Sequence, residues 1–351
     1  MVRALIVWLL QVSIACFAGE LWIAPGGSDL APGSRSMPMA TVQAALVRDP
    51  QAHILVEPGS YALERPIVLG PSNSGVVIEA AAPQARPLFE GAVRIAGFQP
   101  MASGIWRAQT NRRFEQLWVN GRRAVLARTP NAGWFYGTAP VGYARDPLTQ
   151  VSADFARRAF QANAADMAPL QALPPADLKE VRVQAWHSWS VSHHRVQALQ
   201  AAGKNRNTLF LSGTSLWPFF QFDSVQRYHL ENYLEALDAP GEWFQARDGW
   251  VYYKPRADEN MRSAKVMAPT ASHFVVISGA SNVTLRGLRF HFTAFTLPQT
   301  GLAGIQAAAE ADAGIVVDDA RGVRLQDLEI AHTGQYGVWF RRLLRVGARA
   351  Q

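Results

Sequence analysis

The chain has one cysteine, Cys16, and four lysines, at 179, 204, 254 and 265. A single cysteine rules out a disulfide framework within the chain. With so little lysine, the formal charge of +7 is carried by arginine. No basic cluster with interleaved aromatics stands out. The charge therefore reads first as an arginine-rich composition, with attraction to an acidic polymer as the functional alternative, and no nucleic-acid partner is expected. Glycine-rich phosphate loops and nucleophile elbows are absent. The histidines lack third and fourth partners at zinc-ligand spacing, so no metal or other cofactor is expected. Only 17% of the 351 residues are charged and 49% are apolar, which points to a folded protein with a large core.

The one long apolar run is N-terminal and too short for a membrane span. Residues 1–18 read as a signal peptide: Arg3 is the positive start, Ala4 to Ala15 the apolar stretch, and Cys16-Phe17-Ala18 the small-x-small cleavage site. Cleavage after Ala18 removes the cysteine and leaves an exported, periplasmic or extracellular chain with no stable membrane anchor. Lipidation at Cys16 is the alternative, against which Ser13 stands where such signals normally carry leucine.

What the sequence does contain is a repeat. Ile277 to Phe290 is answered by Val317 to Ile330 at an offset of 40, pairing Val283 with Val323, Leu285 with Leu325 and Phe290 with Ile330. Ala313 to Val317 then matches Tyr336 to Phe340 at an offset of 23. Alternating apolar residues at a period of about 20–25 residues predict parallel strands stacked coil on coil. Strands joined by turns and lacking a helical period imply a right-handed parallel β-helix solenoid, an all-β fold, rather than an α/β fold. On this reading Arg289 lies over Glu329 and pairs with it. The 40-residue step is one coil enlarged by a loop, Ala294 to Asp312, which would overhang the solenoid's outer face.

In chain order, residues 20–97 form an N-terminal cap and the first coils. Thr41 N-caps a helix through Val47 that covers the open end, and Asp29 tightens the preceding turn. Ile54 to Val76 makes one coil of 22 residues. From 98 to 265 the period fails and a β-rich insertion is expected. It holds hairpins at Asn120-Gly121 and Asp248-Gly249, a strand or strand pair over Glu180–Leu199, and an alanine-rich helix within Asp154–Ala176. Coils resume over 266–340. Residues 341–351 do not continue the pattern, so the chain is expected to be a C-terminally truncated member of a longer kind.

Four segments carry a resemblance: Ala185 to Arg195 (AWHSWSVSHHR), Glu231 to Phe244 (ENYLEALDAPGEWF), Asp248 to Pro255 (DGWVYYKP) and His332 to Phe340 (HTGQYGVWF). Together they resemble glycoside hydrolase family 141, secreted right-handed β-helix enzymes with an inserted β-sandwich-like domain. His187, Ser188, Trp189, His194 and Arg195 match its His-Ser-Trp segment. Asp238, Pro240, Gly241, Glu242 and Trp243 match its Asp-Ala-Pro-Gly-Glu-Trp segment, and His332, Thr333 and Gly334 its His-Thr-Gly turn. The resemblance implies hydrolysis of glycosidic bonds in plant or microbial polysaccharide, with the main catalytic carboxylates expected in later coils beyond this chain.

Glycoside hydrolysis needs two carboxyl groups flanking the bond. Asp318 and Asp319 are the catalytic candidates; turn chemistry is their plainer role. His187, Trp189 and His194, with His332 and Tyr336 at a coil turn, are the substrate-binding candidates, because sugars are recognised by aromatic faces and polar tips. Core packing between insertion and solenoid is the alternative for the histidines and tryptophan. His291 reads as a solvated outward histidine or a general base. The expected function is a secreted glycoside-hydrolase-like protein acting on polysaccharide, inactive alone if later coils are required. A polysaccharide lyase and a non-catalytic carbohydrate-binding or adhesin β-helix are the alternatives.

Overall fold

The computed structural model describes residues 19–306 and 311–342. The expected signal peptide and nearly all of the expected non-family tail lie outside these. The described chain is all-β, with three short α-helices at Val42–Arg48, Ala168–Gln171 and Pro175–Leu178. Among the described residues no helix is long and apolar enough to cross a membrane.

Three sheets are parallel throughout. One runs Glu20–Ile23, His53–Val56, Val77–Ala80, Thr284–Arg286, Arg324–Gln326. A second runs Ile67–Leu69, Val275–Ser278, Ala313–Asp318, Tyr336–Arg341. The third runs Ser60–Ala62, Leu88–Glu90, Arg289–His291, Glu329–Ala331. From His53 onward the chain visits the first sheet, then the third, then the second, and repeats that order. The sequence repeat is this circuit: Leu285 lies beside Leu325, Phe290 beside Ile330, and Val317 beside Phe340. The first full circuit is longer than the spacing suggested, because Ile54 pairs with Ile78, not Val76.

Alternation along each strand sends every second side chain inward. Ile54, Ile78 and Leu285 are fully buried neighbours in one layer. Another layer stacks aromatics: Tyr61 on Phe89 at 5.1 Å and Phe89 on Phe290 at 5.3 Å between ring centroids. The helix Val42–Arg48 closes this core with Val42 and Ala45. Thr41 caps it, its Oγ1 accepting from the Ala44 amide at 3.1 Å. Asp29 holds that cap: its carboxylate accepts from the Ala40 and Thr41 amides and from the Thr41 hydroxyl, at 2.9–3.0 Å.

The chain leaves the parallel stack through Ala92–Arg94 and returns through Val266–Pro269, and these two strands pair antiparallel. Because the stack closes behind the departure, Val77 and Thr284 are partners across the whole intervening stretch. Within that stretch the strands are antiparallel with one exception, Val125–Leu126 against Glu242–Gln245. Both hairpins form as expected, with Asn120 at φ 49° and Gly121 at φ 75° in the first turn.

The insertion differs from a β-sandwich. Six strands pair in a ring: Phe135–Pro140, Ala159–Asn163, Arg206–Leu211, Val191–Ala201, Arg182–Trp186 and Arg227–Glu231, which pairs back to the first. A closed antiparallel barrel results, filled by Phe160, Val183, Val196, Leu209 and Tyr228. The expected alanine-rich helix is also corrected. Ala159–Asn163 is a barrel strand with neighbours on both sides, and only Ala168–Gln171 and Pro175–Leu178 are helical. Burial of Phe160 and Ala162 inside the barrel, and of Ala159 against Phe155 and Phe210 on the strand's other face, overrides alanine's local preference.

Candidate functional site

The third parallel sheet turns an outward face toward the insertion. On it Glu329 Oε1 lies 2.7 Å from His291 Nε2, and Glu329 Oε2 lies 3.1 Å from Arg86. Facing a carboxylate, the imidazole Nε2 carries the proton and donates. That hydrogen bond is the main reason Glu329's carboxyl titrates below the usual glutamate value. Glu90, in register beside His291 on the preceding strand, is held by Lys265 at 2.7 Å. The expected Arg289–Glu329 ion pair does not form. The two residues are opposite one another as predicted, but Arg289 donates to the Arg86 carbonyl at 3.3 Å, and Arg86 takes the carboxylate.

His332 ends this strand in a left-handed conformation, φ 56°. Its ring stacks on Phe292 at 4.9 Å and lies 4.3 Å from Trp118 and 5.2 Å from His291. Burial, then the proximity of His291, lowers its pKa. Trp118 belongs to the Asn120-Gly121 hairpin of the insertion. One carboxylate, two imidazoles and an indole thus meet where parallel stack and insertion touch. An ionised carboxylate paired to an imidazole can hold or move a proton.

The other histidine group lies in the barrel. The hairpin that joins Arg182–Trp186 to Val191–Ala201 turns through His187 to Ser190. His187 Nε2 is 3.0 Å from Ser192 Oγ, and its ring stacks on Phe219 at 5.6 Å. His194 is fully buried, its Nδ1 donating to the Ser212 carbonyl at 2.8 Å. Burial lowers the pKa of His187 and of His193 to about 4 each, and pulls His194 down as well. These histidines are neutral. His187 and His194 are bonded within the barrel, while Trp189 faces solvent. Tyr336 is exposed on the second parallel sheet. The structure therefore brings His332 to Glu329 and His291, and gathers His187, Trp189 and His194 elsewhere, with Tyr336 apart from both.

The loop after Ala294 links the two groups. Its amides at Phe295 and Leu297 donate to Gln116 Oε1 at 3.0 Å and Glu115 Oε2 at 2.6 Å. Leu302 and Ala303 then pair with His193 and Ser192 of the barrel. Up to Gln306 the loop is a strap from the parallel stack to the barrel, in place of the expected overhang. Glu115 also takes Arg182 at 3.0 Å and Arg195 at 2.7 Å, so two buried guanidinium groups depend on the carboxylate that anchors the strap.

Asp318 and Asp319 do not converge on a groove. Asp318 is buried and bonded by Arg342 through both oxygens, with Arg341 at 3.4 Å, and the Arg342 hydrogen bonds hold its carboxyl low. Asp319 is exposed in a left-handed turn, φ 46°. Sequence reasoning missed the Glu329–His291 pair because the partners sit diagonally, not opposite, in the ladder. Two outward polar residues two positions apart on neighbouring repeats were the available signal. Among the described residues no three His, Cys, Asp or Glu side chains form a metal-ligand group.

No protein-family model matches the chain, and no curated protein does. Among solved structures, one described as a glycoside hydrolase overlays with a TM-score of 0.76 at 22% identity, covering 92% of this chain. This chain spans 63% of that structure's length. XylC in complex with xylose overlays with a TM-score of 0.37 at 12% identity, covering 86% of this chain and 40% of that one. A bacteriophage tailspike in complex with an Acinetobacter baumannii capsular saccharide gives 0.17 at 9% identity, covering 81% and 38%. The last two overlays are too loose to carry an argument. The first shows a shared fold.

Proposed function

We propose that the protein is an exported, carbohydrate-active protein that cleaves glycosidic bonds in plant or microbial polysaccharide. Its three parallel sheets are read as the walls of a right-handed parallel β-helix of the kind found in glycoside hydrolase family 141. Residues 98–265 are read as its inserted domain. The observation that carries the proposal is the Glu329–His291 pair, an ionised carboxylate bonded to an imidazole on the outward face beneath Trp118. The reaction centre is placed there instead of at Asp318 and Asp319, whose geometry is that of an ion pair and a turn. Glu329 is the base or nucleophile and His291 orients it; His332 and Trp118 wall the sugar site. Glu90, on the same face, is the second carboxyl group among the described residues. His187, Trp189 and His194 belong to the barrel, where Trp189 is the residue open to substrate; Tyr336 lines neither group.

A lyase is the second reading, favoured by Arg86 and Arg289 lying beside the same pair. There His291 would take the proton next to a sugar carboxylate that the arginines neutralise. Incubating the purified chain with a polysaccharide panel separates the two. New reducing ends without unsaturation support hydrolysis, and ultraviolet-absorbing unsaturated ends support elimination. If the panel yields neither product, the catalytic proposal falls and a non-catalytic carbohydrate-binding β-helix replaces it.

A further inference from the structure

The barrel carries a cluster of rings with no packing reason to be where it is. Trp189 is 48% exposed and Phe222 42%, yet they lie against each other at 4.5 Å between centroids. Trp217 completes the group at 5.9 Å from Trp189 and 5.3 Å from Phe222. Leaving large apolar rings together in water forgoes their burial, and such patches on a folded surface mark binding sites. The position of the cluster is fixed. Trp189 Nε1 donates to the Ile305 carbonyl of the strap at 3.2 Å, so the indole cannot swing freely.

Beside the rings is a polar rim. Ser188 Oγ donates to Asp223 Oδ2 at 2.8 Å, and the shallow depression there is also lined by His187, Gln221 and Gln226. Among the described residues Asp223 is the one carboxylate lining that depression, and no lysine or arginine lines it. A ligand suited to this surface needs a flat apolar face for the rings and hydroxyl groups for Asp223, Ser188 and the exposed Gln221 amide. It must also lack negative charge, which would meet Asp223 with no cation to offset it. A pyranose ring of an uncharged polysaccharide has these properties.

We propose that Trp189, Trp217 and Phe222, with Asp223 and Ser188, form a stacking subsite for neutral polysaccharide, held on the barrel apart from the Glu329–His291 pair. The subsite deepens the carbohydrate-active reading and rests on it, but it does not require cleavage. It gives the insertion a task, which is to hold a stretch of chain while the parallel stack acts on another part of it.

The test is fluorescence titration of the full chain with xylan, mixed-linkage glucan, galactomannan and polygalacturonate. Saturable binding to at least one neutral polymer is expected, with polygalacturonate weaker. Trp189→Ala and Phe222→Ala should each weaken binding by about tenfold or more, as removal of one stacked ring would. Trp189→Phe, which keeps a ring, should retain most of it and controls for folding. No neutral polymer bound, polygalacturonate bound as tightly, or both alanine variants binding like the parent overturns the subsite. Reducing-end release is measured on the same samples. Binding that depends on Trp189 without any cleavage upholds the subsite and defeats the hydrolase reading; cleavage with binding indifferent to Trp189 and Phe222 does the reverse.

Discussion

Glu329 and His291 sit on neighbouring parallel strands, two positions off direct opposition, and meet at 2.7 Å on the outward face. The imidazole's hydrogen bond is the largest contributor to Glu329's lowered pKa. His291→Ala should therefore raise that pKa toward the ordinary glutamate value, read by carboxyl NMR as a function of pH. Arg289 and Arg86 remain to hold part of the shift, so Arg289→Ala and Arg86→Ala added to His291→Ala should complete it.

The inward aromatic column of the third sheet predicts where the parallel stack is most sensitive. Phe290 is fully buried between Phe89 and Ile330 and touches Phe274 at 5.4 Å. Phe290→Ala should cost about 3–5 kcal/mol of stability by chemical denaturation. Arg289→Ala, on the neighbouring outward position, should cost under about 1 kcal/mol.

Glu115 is the anchor of the strap. Glu115→Ala takes the nearest carboxylate from two buried guanidinium groups, leaving Arg195 only Glu180 at 3.7 Å, and frees the Leu297 amide. Loss of about 3–5 kcal/mol is expected, the figure for breaking a buried ion pair by removing one partner. Hydrogen exchange should accelerate at Leu297 and Leu302 more than in the barrel strands that stay paired.

His187 and His193 are buried neutral in the folded chain, with pKa values of about 4 against 6.5 when exposed. Between those values the unfolded chain binds more protons than the folded one. Stability is thus fully present above about pH 6.5 and is lost as pH falls toward 4, by about 2–3 kcal/mol for each histidine. The melting temperature of the parent should drop across that window, and His187→Gln combined with His193→Gln should reduce the drop, with His194 left to contribute the rest.

Much of the parallel stack was legible because strand periodicity and the 40- and 23-residue offsets fix register directly. Leu285 beside Leu325 and Ala313 beside Tyr336 follow from counting. The Thr41 cap and the Asn120-Gly121 turn were legible because each is decided by one or two residues. Barrel closure was not, since it depends on Arg182–Trp186 finding a second partner in Arg227–Glu231, some 45 residues on, and no local signal announces it. The strand at Ala159–Asn163 was hidden by alanine's helical preference. The strap's course was hidden because its partners, Glu115 and His193, belong to a different part of the chain. Of the residues in the proposed sites, His332 and Trp189 stand out in the sequence as substrate-binding candidates, whereas Glu329 reads there as a structural ion-pair partner of Arg289 and His291 as a solvated histidine or a general base.

The measurement that bears most directly on the proposed chemistry is reducing-end release from polysaccharide by the parent chain and by Glu329→Gln, which keeps the side chain's size and removes its charge. The account predicts activity in the parent on at least one polymer and a fall of about 10²-fold or more in the variant, with its melting temperature little changed. A Glu329→Gln chain as active as the parent would contradict it.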